Sequence, residues 1–216
     1  MSEATPVVFV VDDDISVRES LELLIREAGW QPQLFASPQE FLELPRVLAP
    51  SCLVLDFSLP GLNGLELQKR VAGERPYLPI IFLTGYGDVP MTVQAMKAGA
   101  VEFLTKPFSD ETLLNAIRSA INRSSHVLGR EAELQALRGC YASLTSRERE
   151  VMSLVVSGRL NKQVADELGI SEITVKAHRG KLMRKMNADS LPHLVKMAAK
   201  LRLPHSPKSE AFTPPQ

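Results

Sequence analysis

In the first half of the chain, short apolar runs alternate with segments whose apolar residues recur every three or four positions. The runs Val7–Val11, Cys52–Leu55, Ile80–Leu83 and Val101–Leu104 are rich in Val, Ile, Leu and Phe, and Gln33-Leu34-Phe35 makes a shorter one. Continuous apolar runs of this length read as strands covered on both faces. Between them, Ile15, Val17, Leu21, Leu24, Ile25 and Ala28 share a helical face closed by Gly29. Ser37 and Pro38 open a helix holding Phe41, Leu42 and Leu44, and Leu65, Leu67 and Val71 mark a third helix. Asp88 stands where it would cap a fourth, through Val89, Val93, Ala95 and Met96 to Gly99, and Ser109 starts a fifth with Leu113, Leu114 and Ile117. Capping residues at the starts and glycines at the ends support these boundaries. Five alternating units predict one α/β domain, a doubly wound five-stranded parallel sheet with right-handed crossovers.

After residue 122 the pattern changes. Leu128, Leu134 and Leu137 among Arg130, Glu131, Glu133 and Arg138 predict a helical linker over 123–143. From Leu144 no strand-like run remains, and the periodicity predicts helices at about 146–157, 161–168, 172–186 and 190–201. The expected divisions are a first domain over 1–122, the linker, an all-α domain over 144–203, and a polar, proline-containing tail over 204–216 expected to be disordered.

The formal net charge is zero, but its distribution is not even. Residues 1–122 carry nine Lys and Arg against sixteen Asp and Glu, whereas 144–203 carry twelve against six. The basic half is a candidate for nucleic acid. No apolar stretch is long enough to cross a membrane, and Met1–Pro6 lacks the basic and apolar regions of a signal peptide. Cys52 and Cys140 form neither a CxxC nor a metal-ligand spacing, so a reducing, cytoplasmic setting is expected.

The candidate chemistry lies at the ends of the runs. The first ends in Asp12-Asp13-Asp14, the third in Asp56, the fourth in Thr84 and the fifth in Thr105 followed by Lys106-Pro107. In an open parallel sheet, ligands bind beyond the carboxyl ends of the strands. Acids, a hydroxyl and an ammonium should therefore meet in one crevice. A carboxylate can attack phosphorus to give an aspartyl phosphate, and Mg²⁺ takes oxygen ligands while bridging carboxylates and phosphoryl oxygens. Lys106 and Thr84 would neutralise the remaining charge. Asp14 reads as a helix cap, and each of the other residues alone would read as a cap, a turn residue or a surface charge. Only their joint placement points to phosphoryl chemistry.

In the basic half, Leu160 to Ser171 read as a short helix, a turn at Gly169 and a new N-cap at Ser171. The next helix places Val175, His178, Leu182 and Met186 on one face and Thr174, Lys176, Arg179, Lys181 and Arg184 on the opposite surface. An apolar face for packing and a basic face for a groove suit DNA.

Asp12-Asp13, Asp56 followed by Pro60-Gly61 and Gly64, Thr84-Gly85 and Lys106-Pro107-Phe108 resemble the receiver domain of bacterial two-component response regulators. Leu144 to Glu148, Asn161-Lys162, Ile170-Ser171 and Thr174 to His178 resemble the LuxR-type helix-turn-helix domain, so the whole chain is similar to NarL/FixJ-type response regulators. The resemblance implies a sheet of order 2-1-3-4-5 and a separate helical DNA-binding domain. It implies Asp56 as phosphoacceptor, Asp13 and Asp56 with the Ser58 backbone carbonyl as direct Mg²⁺ ligands, and Asp12 bound through water. Lys106 would pair with the phosphoryl group, Thr84 would turn toward it, and Phe103 would follow as the switch aromatic. A cis peptide is implied at Lys106-Pro107, and Ser58 and Tyr86 lie where the family tunes acyl-phosphate hydrolysis. Lys176, Ala177 and Gly180 are the implied base-facing positions, with Lys162, Thr174, Lys181 and Lys185 as phosphate contacts. The implied partners are a sensor histidine kinase, promoter double-stranded DNA, and a second copy of the chain on phosphorylation, with RNA polymerase as a further candidate. The family leans toward activation.

Two other classes fit the residues less well. An aspartate-nucleophile phosphatase would carry a second acid two residues after the nucleophile, where this chain has Ser58, and would add a substrate-binding cap domain. A phosphate-independent interaction module would not need Asp12, Asp13, Asp56, Thr84 and Lys106 together. The chain is therefore expected to be no enzyme beyond Mg²⁺-dependent acceptance and hydrolysis of its own phosphoryl group.

Overall fold

The computed structural model describes residues 5–60, 64–85 and 89–203. Asp88, Gly61, Tyr86 and the tail from Pro204, all named above, lie outside the described residues. The chain divides into two compact units, Met1–Arg130 and Glu131–Gln216.

The first unit runs β1 (Val7–Val11), α1 (Ile15–Glu27), β2 (Gln31–Phe35), α2 (Pro38–Glu43), β3 (Ser51–Asp56), α3 (Gly64–Glu74), β4 (Ile80–Thr84), α4 (Val89–Lys97), β5 (Glu102–Thr105) and the first part of α5 (Asp110–Ala142), a helix whose residues from Glu131 onward belong to the second unit. All pairings are parallel, as the apolar runs predict, and the order is β2-β1-β3-β4-β5, the one the resemblance implied. Side chains alternate across each strand, so one apolar run supplies two cores. Val7, Phe9 and Val11 pack with Phe41, Leu53, Leu55, Leu67, Val71 and Phe82 beneath α2, α3 and α4. Val8 and Val10 pack with Leu21, Ile25, Val54, Leu113 and Ile117 beneath α1 and α5. Each such side chain, fully covered, contributes about 1.5–3 kcal/mol. Trp30 is half-buried at the edge of this second core. Cys52 is wholly buried, and that burial pushes its thiol up, which leaves it an inert core residue.

Local signals behave as the sequence predicts. Ser37 caps α2 by accepting from the Glu40 N–H, with Pro38 in its first turn, and Asp14 caps α1 by accepting from the Ser16 N–H at 2.8 Å. The linker does differ: α5 continues unbroken from Asp110 to Ala142, so the helix that begins at Asp110 and the expected linker are one element. Among the described residues, no helix is long and apolar enough to cross a membrane.

The second unit holds α6 (Ser146–Val156), α7 (Asn161–Leu168), α8 (Glu172–Lys185) and α9 (Leu191–Lys200). Val151, Met152, Val155, Val164, Val175, Leu182, Met186 and Leu194 form its core. Between α7 and α8 the chain reverses at Gly169, whose φ of 63° is left-handed and favours glycine. Ser171 then caps α8 by accepting from the Thr174 N–H at 3.2 Å.

Candidate functional site

Register brings the acidic residues together. Val11 pairs with Leu55, so Asp12 and Asp56 leave neighbouring strands at the same height, and Thr84 pairs with Thr105 on the other side. The Lys106 N–H donates to the Thr84 carbonyl at 2.7 Å, and the Phe57 N–H donates to the Leu83 carbonyl at 2.8 Å, which lock the strand ends to one another. From β5, Lys106 Nζ reaches back across the sheet to Asp56 Oδ1 at 2.9 Å and Asp12 Oδ2 at 3.1 Å. The second oxygen of Asp56 accepts from the Ser58 N–H at 2.8 Å, and Asp12 Oδ1 accepts from the Asp14 N–H at 2.9 Å. The peptide between Lys106 and Pro107 is cis, as the resemblance implied.

Burial sets the electrostatics. Asp12 is 2% exposed, and desolvation raises its pKa despite the Asp14 N–H and the Lys106 ammonium, which pull the other way. Burial alone would depress Lys106, but its hydrogen bonds to Asp56 and Asp12 and their charges outweigh it and raise its pKa. The ammonium is thus firmly protonated beside two acids. Asp14 lies lower than an ordinary Asp because the Ser16 hydroxyl and N–H bond its carboxylate.

Among the expected residues, the structure brings Asp12, Asp56, Ser58 and Lys106 into contact. Asp13 stands exposed next to them, and Thr84 is fully buried at the end of β4. Phe103 is half-buried, with its ring centroid 5.9 Å from Phe57 and 6.0 Å from Phe82. Its neighbours are therefore the residue following Asp56 and a β4 residue two before Thr84. Among the described residues, no three His, Cys, Asp or Glu side chains converge as a ready-made cation cage. The donor set still fits a hard cation: the carboxylates and the Ser58 carbonyl all offer oxygen, and one ammonium faces two acids. Arg18 was not singled out from sequence, yet its guanidinium donates to the Asp12 carbonyl at 2.6 Å. Its place four residues after Asp14 on α1 is the signal that could have found it.

Gly64 is fixed by close approach. A Cβ there would lie 2.8 Å from Phe82 Cε1 and 3.4 Å from the Phe57 Cα, so α3 begins hard against the loop after Asp56. A groove lined by Val17, Leu21, Leu24, Pro107 and Phe108 flanks Lys106 on the α1 side.

In the second unit, Val175, Leu182 and Met186 are buried and His178 is half-buried. Lys162, Lys176, Ala177, Gly180 and Lys181 are exposed, and Thr174 is half-buried with its hydroxyl bonded to that of Ser171 at 2.9 Å. Two basic residues are engaged internally. Arg179 bonds the Asn161 side chain. Lys185, expected to meet phosphate, instead pairs with Glu148 at 2.7 Å and bonds the Ser143 carbonyl at 3.1 Å. Glu148 completes a capping box with Thr145 at the start of α6. The bond to Lys185, with help from the Thr145 N–H, holds its pKa below the usual carboxylate range.

Residues 8–118 match the response regulator receiver domain model, and residues 142–198 match the model of bacterial regulatory proteins of the luxR family. The chain is 48% identical to Nodulation protein W of Bradyrhizobium diazoefficiens, over 90% of its own length and 86% of that protein. It is 42% identical to the response regulator protein TmoT of Ectopseudomonas mendocina, over 94% and 92% of the two chains. Among solved structures it is similar to the response regulator StyR, with a TM-score of 0.83, 46% identity, and coverage of 91% of this chain and 100% of that one.

Proposed function

The chain belongs to the two-component response regulators that join a receiver domain to a LuxR-type DNA-binding domain, and from that premise we propose that Asp56 is the phosphoacceptor whose modification controls DNA binding. The observation that carries this reading is the reach of Lys106 Nζ to both Asp56 and Asp12 across the carboxyl ends of the sheet. The donor is a phosphohistidine on a sensor kinase. Its P–N bond breaks as an Asp56 oxygen bonds to phosphorus, and the imidazole leaves with the electron pair and takes up a proton. The groove beside Lys106, lined by α1 and the Pro107-Phe108 segment, suits the approach of such a protein donor.

Asp12, Asp13, Asp56 and the Ser58 carbonyl would hold Mg²⁺. When bound, the cation neutralises charge on the phosphoryl oxygens and the acids. Lys106 keeps its ammonium at the site and pairs with an equatorial oxygen. Thr84 turns its hydroxyl toward the phosphoryl group, and Phe103 repacks between Phe57 and Phe82. That repacking alters the surface of α4 and β5, through which two copies associate. The paired second domains then read half-sites about one helical turn, or a multiple of it, apart. Lys176, Ala177 and Gly180 face the bases; Lys162, Thr174 and Lys181 meet phosphates, which position without specifying. Lys185 is left out of this set because its ammonium is committed to Glu148. The setting is the cytoplasm, and the outcome is promoter activation with RNA polymerase as the downstream partner.

The test is intact mass after incubation with a small acyl-phosphate donor and Mg²⁺, beside Asp56→Asn. One phosphoryl adduct on the wild type alone is expected. No adduct from either the small donor or a kinase, under a quench that preserves acyl phosphates, would overturn the reading.

A further inference from the structure

Ile173 is 80% exposed, the highest value among the exposed large hydrophobic side chains of the described residues. It lies in the first turn of α8, directly after Ser171 and Glu172. At about 100° per residue, Ala177 falls roughly 40° from Ile173 around the helix, Gly180 roughly 20°, Arg184 roughly 20° and Lys176 roughly 60°. Val175, Leu182 and Met186 lie on the far side, buried in the unit's core. Ile173, Ala177 and Gly180 therefore form the middle of the outward face, all exposed, with Lys176 and Arg184 beside them, also exposed. Among the described residues, no packing accounts for an isoleucine there. A Cβ at Gly180 would meet nothing within 4 Å, so the column tapers from a large side chain to bare backbone without touching the protein.

We infer that Ile173 is a specificity-determining residue that reads a thymine methyl group in the DNA major groove, with Ala177 completing the apolar contact and Gly180 letting the helix sit close. This rests on the DNA-binding role proposed above. Lysines and an arginine around one apolar column match a duplex, whose phosphates surround a groove floor where only thymine offers a methyl group. Residues in the first turns of a recognition helix are those that reach base edges. Cytosine has only a hydrogen at C5, so the isoleucine would lose the methyl contact there.

The experiment uses the full chain, phosphorylated with an acyl-phosphate donor and Mg²⁺, and duplexes selected by it from a random-sequence pool. Each thymine of the selected half-site is replaced in turn by deoxyuridine, which removes only the methyl group. One position is expected at which uracil weakens wild-type binding by about fivefold per half-site. Ile173→Ser should weaken binding to the thymine duplex by a similar factor and lose its sensitivity to uracil there. Lys176→Ala should weaken both duplexes alike. The exposure of Ile173 keeps the fold out of play, which an unchanged melting temperature of the serine variant checks. Wild-type affinity in Ile173→Ser, or undiminished uracil sensitivity in it, would overturn the inference while leaving salt-dependent DNA binding intact. No binding to any duplex at low salt would overturn the DNA-binding reading, and this inference with it.

Discussion

Replacing Lys185 with Met separates two roles that a surface lysine on a DNA-binding helix could play. The Glu148 carboxylate is 4% exposed and loses an ammonium at 2.7 Å, keeping its hydrogen bonds from Thr145. Removing one partner of a deeply buried ion pair costs about 3–5 kcal/mol. Lys185 is itself 36% exposed, so water screens the pair in the wild type and can reach Glu148 in the variant. The expected loss is therefore about 2 kcal/mol. For a unit of this size that lowers Tm by about 10 °C. Circular dichroism melts of the full chain would follow it. The sign with pH is fixed by Glu148, whose folded pKa is lowered. Its stabilisation is present above the ordinary Glu range and is lost as pH falls through the lowered value, so wild type and variant should converge in acid. Meanwhile the slope of log affinity for DNA against log salt should stay unchanged, because a lysine committed to Glu148 releases no counterion. A slope reduced by about 0.9, with stability within 0.5 kcal/mol of wild type, would refute the reasoning and return Lys185 to the phosphate contacts.

Asp12→Asn should stabilise the first unit at neutral pH by about 1 kcal/mol, since Lys106 keeps Asp56 while a buried charge disappears. Because the folded pKa of Asp12 is raised, wild-type stability from this group is present below the unfolded value and lost as pH rises. The gap to the variant, read by urea melts, should therefore close in acid. Gly64→Ala should cost about 1–3 kcal/mol, because its Cβ would overlap Phe82, and should slow phosphorylation of Asp56 in the same preparation. Gly180→Ala should stabilise the second unit by about 1 kcal/mol, read by circular dichroism melts, while weakening binding to selected duplexes.

The fold was readable where local pattern and topology coincide. Apolar runs ending in Asp12, Asp56, Thr84 and Thr105-Lys106 carry the sheet, and the rule that parallel strands present their carboxyl ends together predicts a contact spanning 94 residues. The fate of Lys185 was not readable. On a helical wheel it looks like any other exposed lysine of α8, and its partner Glu148 lies 37 residues away on α6. Periodicity says which face is apolar but not which charge meets which. The same holds for Arg179, whose tie to Asn161 removes it from the free basic surface. Ile173 is hidden in the sequence for the opposite reason: an apolar residue in a helix reads as core until the fold shows its face exposed.

Trp30 is the chain's sole tryptophan, and it lies within the first unit at the rim of the core beneath α1 and α5. Its emission is therefore a built-in reporter of one half of the protein. It registers loosening around the sheet and is blind to the helices from Ser146 onward. Those helices dominate the second unit's share of the far-ultraviolet dichroism. Reading the two signals on one unlabelled sample gives two optical clocks. If they run together through denaturation, the halves unfold as one cooperative body; if they separate, the interval between them measures how independently each half stands.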